Sequence, residues 1–286
     1  MNEFGTITRL LVKHAREAFH SQVDCDQQWR DLNFTEAPDY AAALGEYEAF
    51  VAAVSANGAE VVRLPADARV GLDSIYVRDA ALVSDRGVIL CNMGKPQRAT
   101  EPSVQGETYR ALGVPVLGAI EAPGQIEGGD VVWFDERTVA VGRGYRTNDE
   151  GIRQFAALLG AGVDVIPVPL PHYRGPSDVF HLMSIISPVD RDLAVVYSPL
   201  MPVPFREWLV ARGIRLVEVP DEEFDSMGAN VLAIAPLRCV MVAGNPVTRA
   251  RLEAAGAVVV EYTGRDISVK GGGGPTCLTR PLARHA

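Results

Sequence analysis

The chain has 286 residues, 48% apolar and 22% charged, with a formal net charge of −9, and this is the composition of an ordinary globular core former. No segment stays apolar over the roughly 18 residues that a membrane helix needs, and the acidic balance argues against binding along a phosphate backbone, which calls for a basic face. Cys25, Cys91, Cys239 and Cys277 have no CxxC spacing, so neither a zinc site nor a disulfide framework is suggested. The start, MNEFGTITRLLVKHAREAF, is broken by charges where a secretory signal would run apolar, so a cytoplasmic protein is expected.

Five helices with an apolar stripe follow one another, each leading into a short β-branched strand. Tyr40 to Ala56 leads into AEVVRLP, Thr100 to Leu112 into VPVLGAI, Gly151 to Leu159 into VDVIPVP, Phe205 to Arg212 into IRLVEVP, and Thr248 to Ala255 into AVVVEY. A glycine separates helix from strand every time: Gly58, Gly113, Gly160, Gly213 and Gly256. Glycine there permits the left-handed conformation that ends a helix. After each strand comes a turn and then an apolar hairpin: RDAALVSDRGVIL from Arg78, GDVVWFDERTVAVG from Gly129, HLMSIISPVDRDLAVVY from His181, ANVLAIAPLRCVMVAG from Ala229, and TCLTRPL from Thr276.

These elements form a repeat. With Asp79, Asp130, His181, Asn230 and Cys277 as phase markers, the gaps are 51, 51, 49 and 47 residues. A recurrence at this period signals a closed or stacked array of equivalent ββαβ units with the helices outside. The units fill approximately residues 40 to 282, and no linker is long enough to separate domains, so residues 1–286 are expected to form a single domain. The first 35 residues are the least readable part.

Equivalent positions in a closed ring point at one axis, so two carboxylates, a histidine, an amide and a thiol would converge. Cys277 stands in KGGGGPTCLTRPL, a side-chain-poor loop in which a thiol would be accessible; accessibility with a lowered pKa makes a nucleophile. A small core cysteine is the alternative, and Cys25, Cys91 and Cys239 are assigned to it. The four glycines from Gly271 suggest backbone that approaches a ligand closely. His181 shares the phase of Cys277 and would act as general acid and base, or else as a hydrogen-bonded structural residue.

Glu127 and Asp130 in IEGGDVVW, with Asp73 and Asp79 in LDSIYVRDAAL, put carboxylates at turn-to-strand junctions, where acids also occur for purely local reasons. Together at the mouth of one ring they suggest a pocket for a cation, and a planar guanidinium suits paired carboxylates. Arg98 and Arg146 are loop arginines, read either as solvated charges or as anchors for a substrate carboxylate.

The ordered set PDYAAALGEYEAFVAAV, LDSIYVRDAAL, IEAPGQIEGGDVV, GYRTNDEGIRQ, HLMSIISP and GGGGPTCLT, spanning residues 38 to 282, resembles the guanidino-group-modifying superfamily, most closely the dimethylargininases. The resemblance implies an α/β fold, the five-bladed α/β propeller or pentein. It also implies Cys277 as nucleophile, His181 as general acid and base, and Glu127 as the carboxylate that orients His181 and binds guanidinium. Asp79 would hold the guanidinium nitrogens, Asp73 the substrate α-amino group, and Arg98 and Arg146 its carboxylate, with Asp130 a further substrate contact.

The implied reaction is hydrolysis of Nω-methylated arginine to citrulline, with no metal or organic cofactor and a small cationic guanidino substrate as the only partner; nucleic acid and membrane are not expected. A homodimer stays open as an assembly. Arg78-Asp79 departs from the Glu-Asp usual in dimethylargininases and matches the form typical of arginine and agmatine deiminases and amidinotransferases. His181-Leu182-Met183 lacks the Asp of arginine deiminases two residues on. Deimination, amidino transfer and non-catalytic guanidino binding are the remaining readings.

Overall fold

The computed structural model describes residues 1–285. Strand β1 (Thr6–Val12) is followed by two short helices, α1 (Ala15–Phe19) and α2 (Gln22–Gln28), then by α3 (Tyr40–Val54) and β2 (Glu60–Arg63). Four units of one pattern come next. They are β3 (Ala81–Ser84), β4 (Gly87–Leu90), α4 (Glu101–Ala111) and β5 (Val116–Ala119); then β6 (Val131–Asp135), β7 (Thr138–Arg143), α5 (Asp149–Leu159) and β8 (Asp164–Pro169). The third is β9 (Ile186–Asp190), β10 (Leu193–Val196), α6 (Val203–Ala211) and β11 (Arg215–Glu218), and the fourth β12 (Leu232–Ala235), β13 (Arg238–Val242), α7 (Pro246–Ala254) and β14 (Val258–Tyr262). Strand β15 (Arg280–His285) ends the described chain.

Each unit makes one three-stranded sheet in which an antiparallel hairpin is extended by a parallel strand after the helix, so the hairpin's second strand is central. Five such sheets form the five-bladed α/β propeller. The sequence dictates the unit locally: a hairpin can close with a tight turn, whereas a parallel partner needs a crossover, and the helix supplies it. All five separating glycines have positive φ, between 70° and 101°, as the helix-ending role requires. Asn148 caps α5 by accepting from the Gly151 N–H at 2.8 Å, while Ile152, Phe155 and Leu159 turn one buried stripe toward the sheet.

The fifth blade departs from the expectation. Residues from Thr276 form no hairpin of their own; β15 pairs antiparallel with β1, Leu10 facing Pro281 and Leu11 facing Arg280, and β1 pairs parallel with β2. The repeat therefore needs the first dozen residues, and residues 40 to 282 do not complete it. Strand β1 escaped the sequence reading because Leu10, Leu11 and Val12 are all fully buried, and a strand covered on both faces shows no alternation.

The largest apolar cluster joins neighbouring blades through residues such as Val132, Ala194 and Ala233. Among the described residues no helix is long and apolar enough to cross a membrane. Because β1 is the central strand of the blade that both chain ends build, Leu10→Ala should lower the free energy of unfolding by about 2–5 kcal/mol in a urea titration. A loss below about 1 kcal/mol would mean that the blade tolerates a gap at its centre.

Candidate active site

The five phase-marker residues each sit just before the first strand of a blade. Four of them, Asp79, His181, Asn230 and Cys277, line a single cavity of about 470 Å³. Asp130 does not. It is fully buried beneath that cavity, where its carboxylate accepts from the Leu182 N–H at 2.9 Å and from the Thr147 hydroxyl at 2.6 Å. It fixes the turn that carries His181, and the expected substrate contact is corrected accordingly. Burial pushes its carboxyl up to about 6 despite these donors and the His181 charge.

Behind His181 stands Glu127, fully buried. Its Oε2 bonds the His181 Nε2 at 2.8 Å and accepts from Arg146 Nη1 at 3.0 Å, while its Oε1 accepts from the Lys95 backbone N–H at 3.0 Å. Glu127 does not line the cavity, so direct guanidinium binding, the second half of its expected part, is not what this position offers. Burial would lift the Glu127 carboxyl, but the His181 hydrogen bond and the charges of Arg146 and His181 together hold it far below the usual carboxylate range. Burial would likewise depress the imidazole, yet Asp130, Asp79 and Glu127 raise it to about 8. The two glycines of the IEGGD segment explain the close packing: a Cβ at Gly129 would overlap the His181 ring, and one at Gly128 the carbonyl of Arg78.

Asp79 faces the cavity with Oδ1 accepting from the Gly129 N–H at 3.0 Å and Oδ2 from Arg98 Nη1 at 2.6 Å. Arg98 is itself buried, its Nε and Nη2 bonded to Glu101 at 2.9 and 2.8 Å and Nη2 also to the Tyr76 carbonyl at 2.9 Å. Arg98 thus holds Asp79 in place with four of its five N–H donors taken, and it also lines the cavity with one Nη1 donor left, so its expected part toward a substrate carboxylate stays open. Arg146 keeps only the Glu127 bond among the described residues and lines the cavity. Asp79, Glu127 and His181 offer ligand atoms within 4.8 Å of one another, the grouping a metal could use. The arginines bonded to both carboxylates oppose a divalent ion there.

Asp73 also lines the cavity, and its Oδ2 accepts from the Lys95 ammonium at 2.5 Å. Lys95 was not singled out in the sequence. The signal lay in GKPQR, where Gly94 packs so tightly on the Arg146 backbone that the next residue is delivered into the ring.

Cys277 is partly exposed, whereas Cys25, Cys91 and Cys239 are buried. Asn230 directs its Nδ2 at the sulfur from 3.5 Å and accepts from the Thr276 N–H and hydroxyl at 3.0 and 2.9 Å, so the amide marker positions the thiol-bearing loop. The expected lowering of the thiol pKa is not found. Burial and the Asp79 charge push the Cys277 thiol up, and Thr276, Arg78 and Asn230 offset this only in part. Arg78 lies outside the cavity, its Nε donating to the Thr276 carbonyl at 2.6 Å. The glycine run has a packing reason too: side chains at Gly271 and Gly273 would overlap Tyr76, and one at Gly274 would overlap Asn230.

The N-terminal segment, opaque in sequence, covers the cavity with Leu32, Asn33 and Thr35. It is tied down by the Thr35 N–H to the Lys270 carbonyl at 2.8 Å and by Asn33 to the Ser177 carbonyl at 3.3 Å.

A family profile described as "N,N dimethylarginine dimethylhydrolase, eukaryotic" matches residues 18–284. The chain belongs to the dimethylarginine dimethylaminohydrolase family. It is 33% identical over 217 residues to the Streptomyces coelicolor N(G),N(G)-dimethylarginine dimethylaminohydrolase, covering 74% of this chain and 76% of the relative. The Pseudomonas aeruginosa family member solved with citrulline superposes with a TM-score of 0.77 at 25% identity, over 96% of this chain and 98% of that one. The N-terminal domain of ArgZ, a cyanobacterial arginine dihydrolase, shares the fold with a TM-score of 0.82 at 19% identity, over 98% of both chains. Dimethylarginine dimethylaminohydrolase family membership makes the chain a hydrolase of guanidino groups.

His181 gains its high pKa from three carboxylates, so the stability it contributes is complete below its unfolded value of 6.5 and is lost as pH rises through about 8. In a proton NMR titration the His181 ring should show a midpoint near 8. Glu127→Gln should lower it, with Asp130 and Asp79 still holding part of the shift, and an unmoved midpoint would show that Glu127 does not act on the imidazole.

Proposed function

We propose that this protein hydrolyses the guanidino C–N bond of a small substrate through a covalent intermediate on Cys277. The observation that carries the reading is that the Cys277 sulfur, the His181 imidazole and the Asp79 carboxylate open onto one closed-in cavity, with Glu127 bonded behind the imidazole.

Asp79 has acceptor capacity left on both oxygens and would take guanidinium N–H groups, fixing the central carbon for attack. The bound cation would also resolve the difficulty of the high thiol pKa, because a positive charge beside Cys277 favours thiolate. In the first step the thiolate forms a C–S bond to the guanidinium carbon. The imidazolium of His181, the form present at neutral pH when the pKa is about 8, gives its proton to the departing nitrogen as the C–N bond breaks. Ammonia or an alkylamine leaves, and an S-alkylthiouronium remains on Cys277.

In the second step neutral His181 takes a proton from water and the hydroxide adds to the same carbon; the C–S bond then breaks as the added hydroxyl becomes the ureido carbonyl, its proton passing to solvent and the sulfur leaving as thiolate. The product is a ureido compound, citrulline if an arginine derivative enters. Nω-methylated arginine, the substrate of the family's name, is compatible with the guanidinium end of this site. No step calls on a group outside the chain other than water.

Cys277→Ser should lose ureido product formation, and His181→Asn should lower kcat by about 10²–10⁴-fold. Mass spectrometry of quenched wild-type turnover should find the thiouronium mass on the peptide carrying Cys277; full activity in Cys277→Ser would refute the scheme. Without substrate, alkylation of Cys277 by iodoacetamide should still be rising at pH 9. A rate that levels off below pH 8 would mean a thiolate formed in advance, contrary to the high thiol pKa.

A further inference from the structure

Asp73 and the Leu32 carbonyl are the acceptors at the end of the cavity closed by the N-terminal segment, and one internal cation holds both. The Lys95 ammonium donates to Asp73 Oδ2 at 2.5 Å and to the Leu32 carbonyl at 2.6 Å. The lysine side chain is 11% exposed and its carboxylate partner 6%, so little water screens the pair. Its backbone is anchored as well, the Lys95 N–H donating to Glu127. A substrate α-ammonium, the group that the resemblance assigns to Asp73, would meet a carboxylate whose charge is already cancelled and an ammonium in its place.

The other charged groups of the cavity agree. Asp79, bonded to Arg98, belongs to the guanidinium end and keeps lone pairs for it, while Asp225 is bonded to Arg174 at 2.8 Å. The remaining carboxylate on the wall, Asp178, lies in the field of Arg174 and Arg146. On the cationic side, Lys95 has one of its three donors uncommitted, and Arg146 has donors beyond its single bond to Glu127. Burial disfavours the charged Lys95 ammonium, Asp73 supports it, and Arg98 and Arg146 weigh against it to a smaller extent, so an anion between Lys95 and Arg146 would favour the charged form.

We propose that Lys95 makes this cavity selective for ω-guanidino carboxylates that lack an α-ammonium group, its own ammonium occupying the acceptors that such a group would need. This rests on the hydrolase reading above and narrows its substrate: the guanidinium end is unchanged, and the tail is a carboxylate met by Lys95 and Arg146 with no amine beside it. Selectivity of this kind comes from an unfavourable placement built against the wrong ligand as much as from contacts to the right one.

The test compares arginine with 5-guanidinopentanoate, which has the same chain without the α-amine, each also as its Nω-methyl derivative. For the wild type, kcat/KM should favour the des-amino acid by about tenfold or more, the scale of one uncompensated charged group. Lys95→Ala frees Asp73 and the Leu32 carbonyl, so the ratio should shift toward the amino acid by about tenfold or more; Lys95→Met, which keeps the stem, should act in the same direction. A wild-type preference for the amino acid, or a ratio unchanged in both variants, would overturn the proposal.

Binding of citrulline and 5-ureidopentanoate to Cys277→Ser, measured by calorimetry, repeats the comparison without turnover. If no guanidino compound is hydrolysed the catalytic reading fails, while the binding ratio still decides the part of Lys95. Where a Lys95 variant does not fold, the wild-type ratio decides alone.

Discussion

One buried carboxylate ties the site together. Glu127 has no exposure to water, yet it is charged, and it is tolerated because His181, Arg146 and the backbone of Lys95 bond it from three separate segments. A carboxylate so placed without its partners would be strongly destabilising, since an uncompensated buried charge costs about 3–5 kcal/mol. The three segments belong to different turns of the repeat, so the ion cluster forms only when the blades close. The position and the proton affinity of the His181 imidazole are thereby set by a contact that forms only when three consecutive blades pack together.

The thiol follows the opposite logic. Its loop is held by Asn230, by Thr276 and, from behind, by Arg78, while burial and Asp79 favour the protonated form. The high thiol pKa and the high imidazole pKa are linked through Asp79, whose negative charge raises both. A cation at Asp79 would remove that influence from the two groups together. On the proposed reading, the substrate's own charge would then favour the thiolate, with no separate switch.

Much of this was legible in the chain. The five glycines between helix and strand were legible because few other residues adopt the positive φ found there, and the convergence of Asp79, His181, Asn230 and Cys277 on one cavity because they share one phase of the fifty-residue period. What was not legible depends on partners far away in sequence. Asp130 shares the phase of its four counterparts but turns under the floor, because Thr147 and the Leu182 N–H claim its oxygens. Arg98 was read as a solvated charge or a substrate anchor; what could not be seen was that it would be buried together with Glu101, three residues on. Strand β1 was missed because its last three residues, Leu10 to Val12, are all buried, which erases the alternation that marks a strand.

The Arg78-Asp79 pair shows how a motif difference should be weighed by where its side chain goes. Asp79 faces the cavity, but Arg78 points away from it. Its guanidinium donates to the Thr276 carbonyl at 2.6 Å and reaches Glu3 at 3.4 Å, and its N–H donates to the Cys277 carbonyl at 3.2 Å. An arginine at this position therefore acts on the backbone of the nucleophile loop and on the junction with the N-terminal strand. It has no contact through which to distinguish a methylated guanidine from a bare one, since that distinction must be made by atoms on the cavity wall. The lysine at position 95 is on that wall, so the residue proposed to select the tail of the substrate lies outside every segment on which the family resemblance was built.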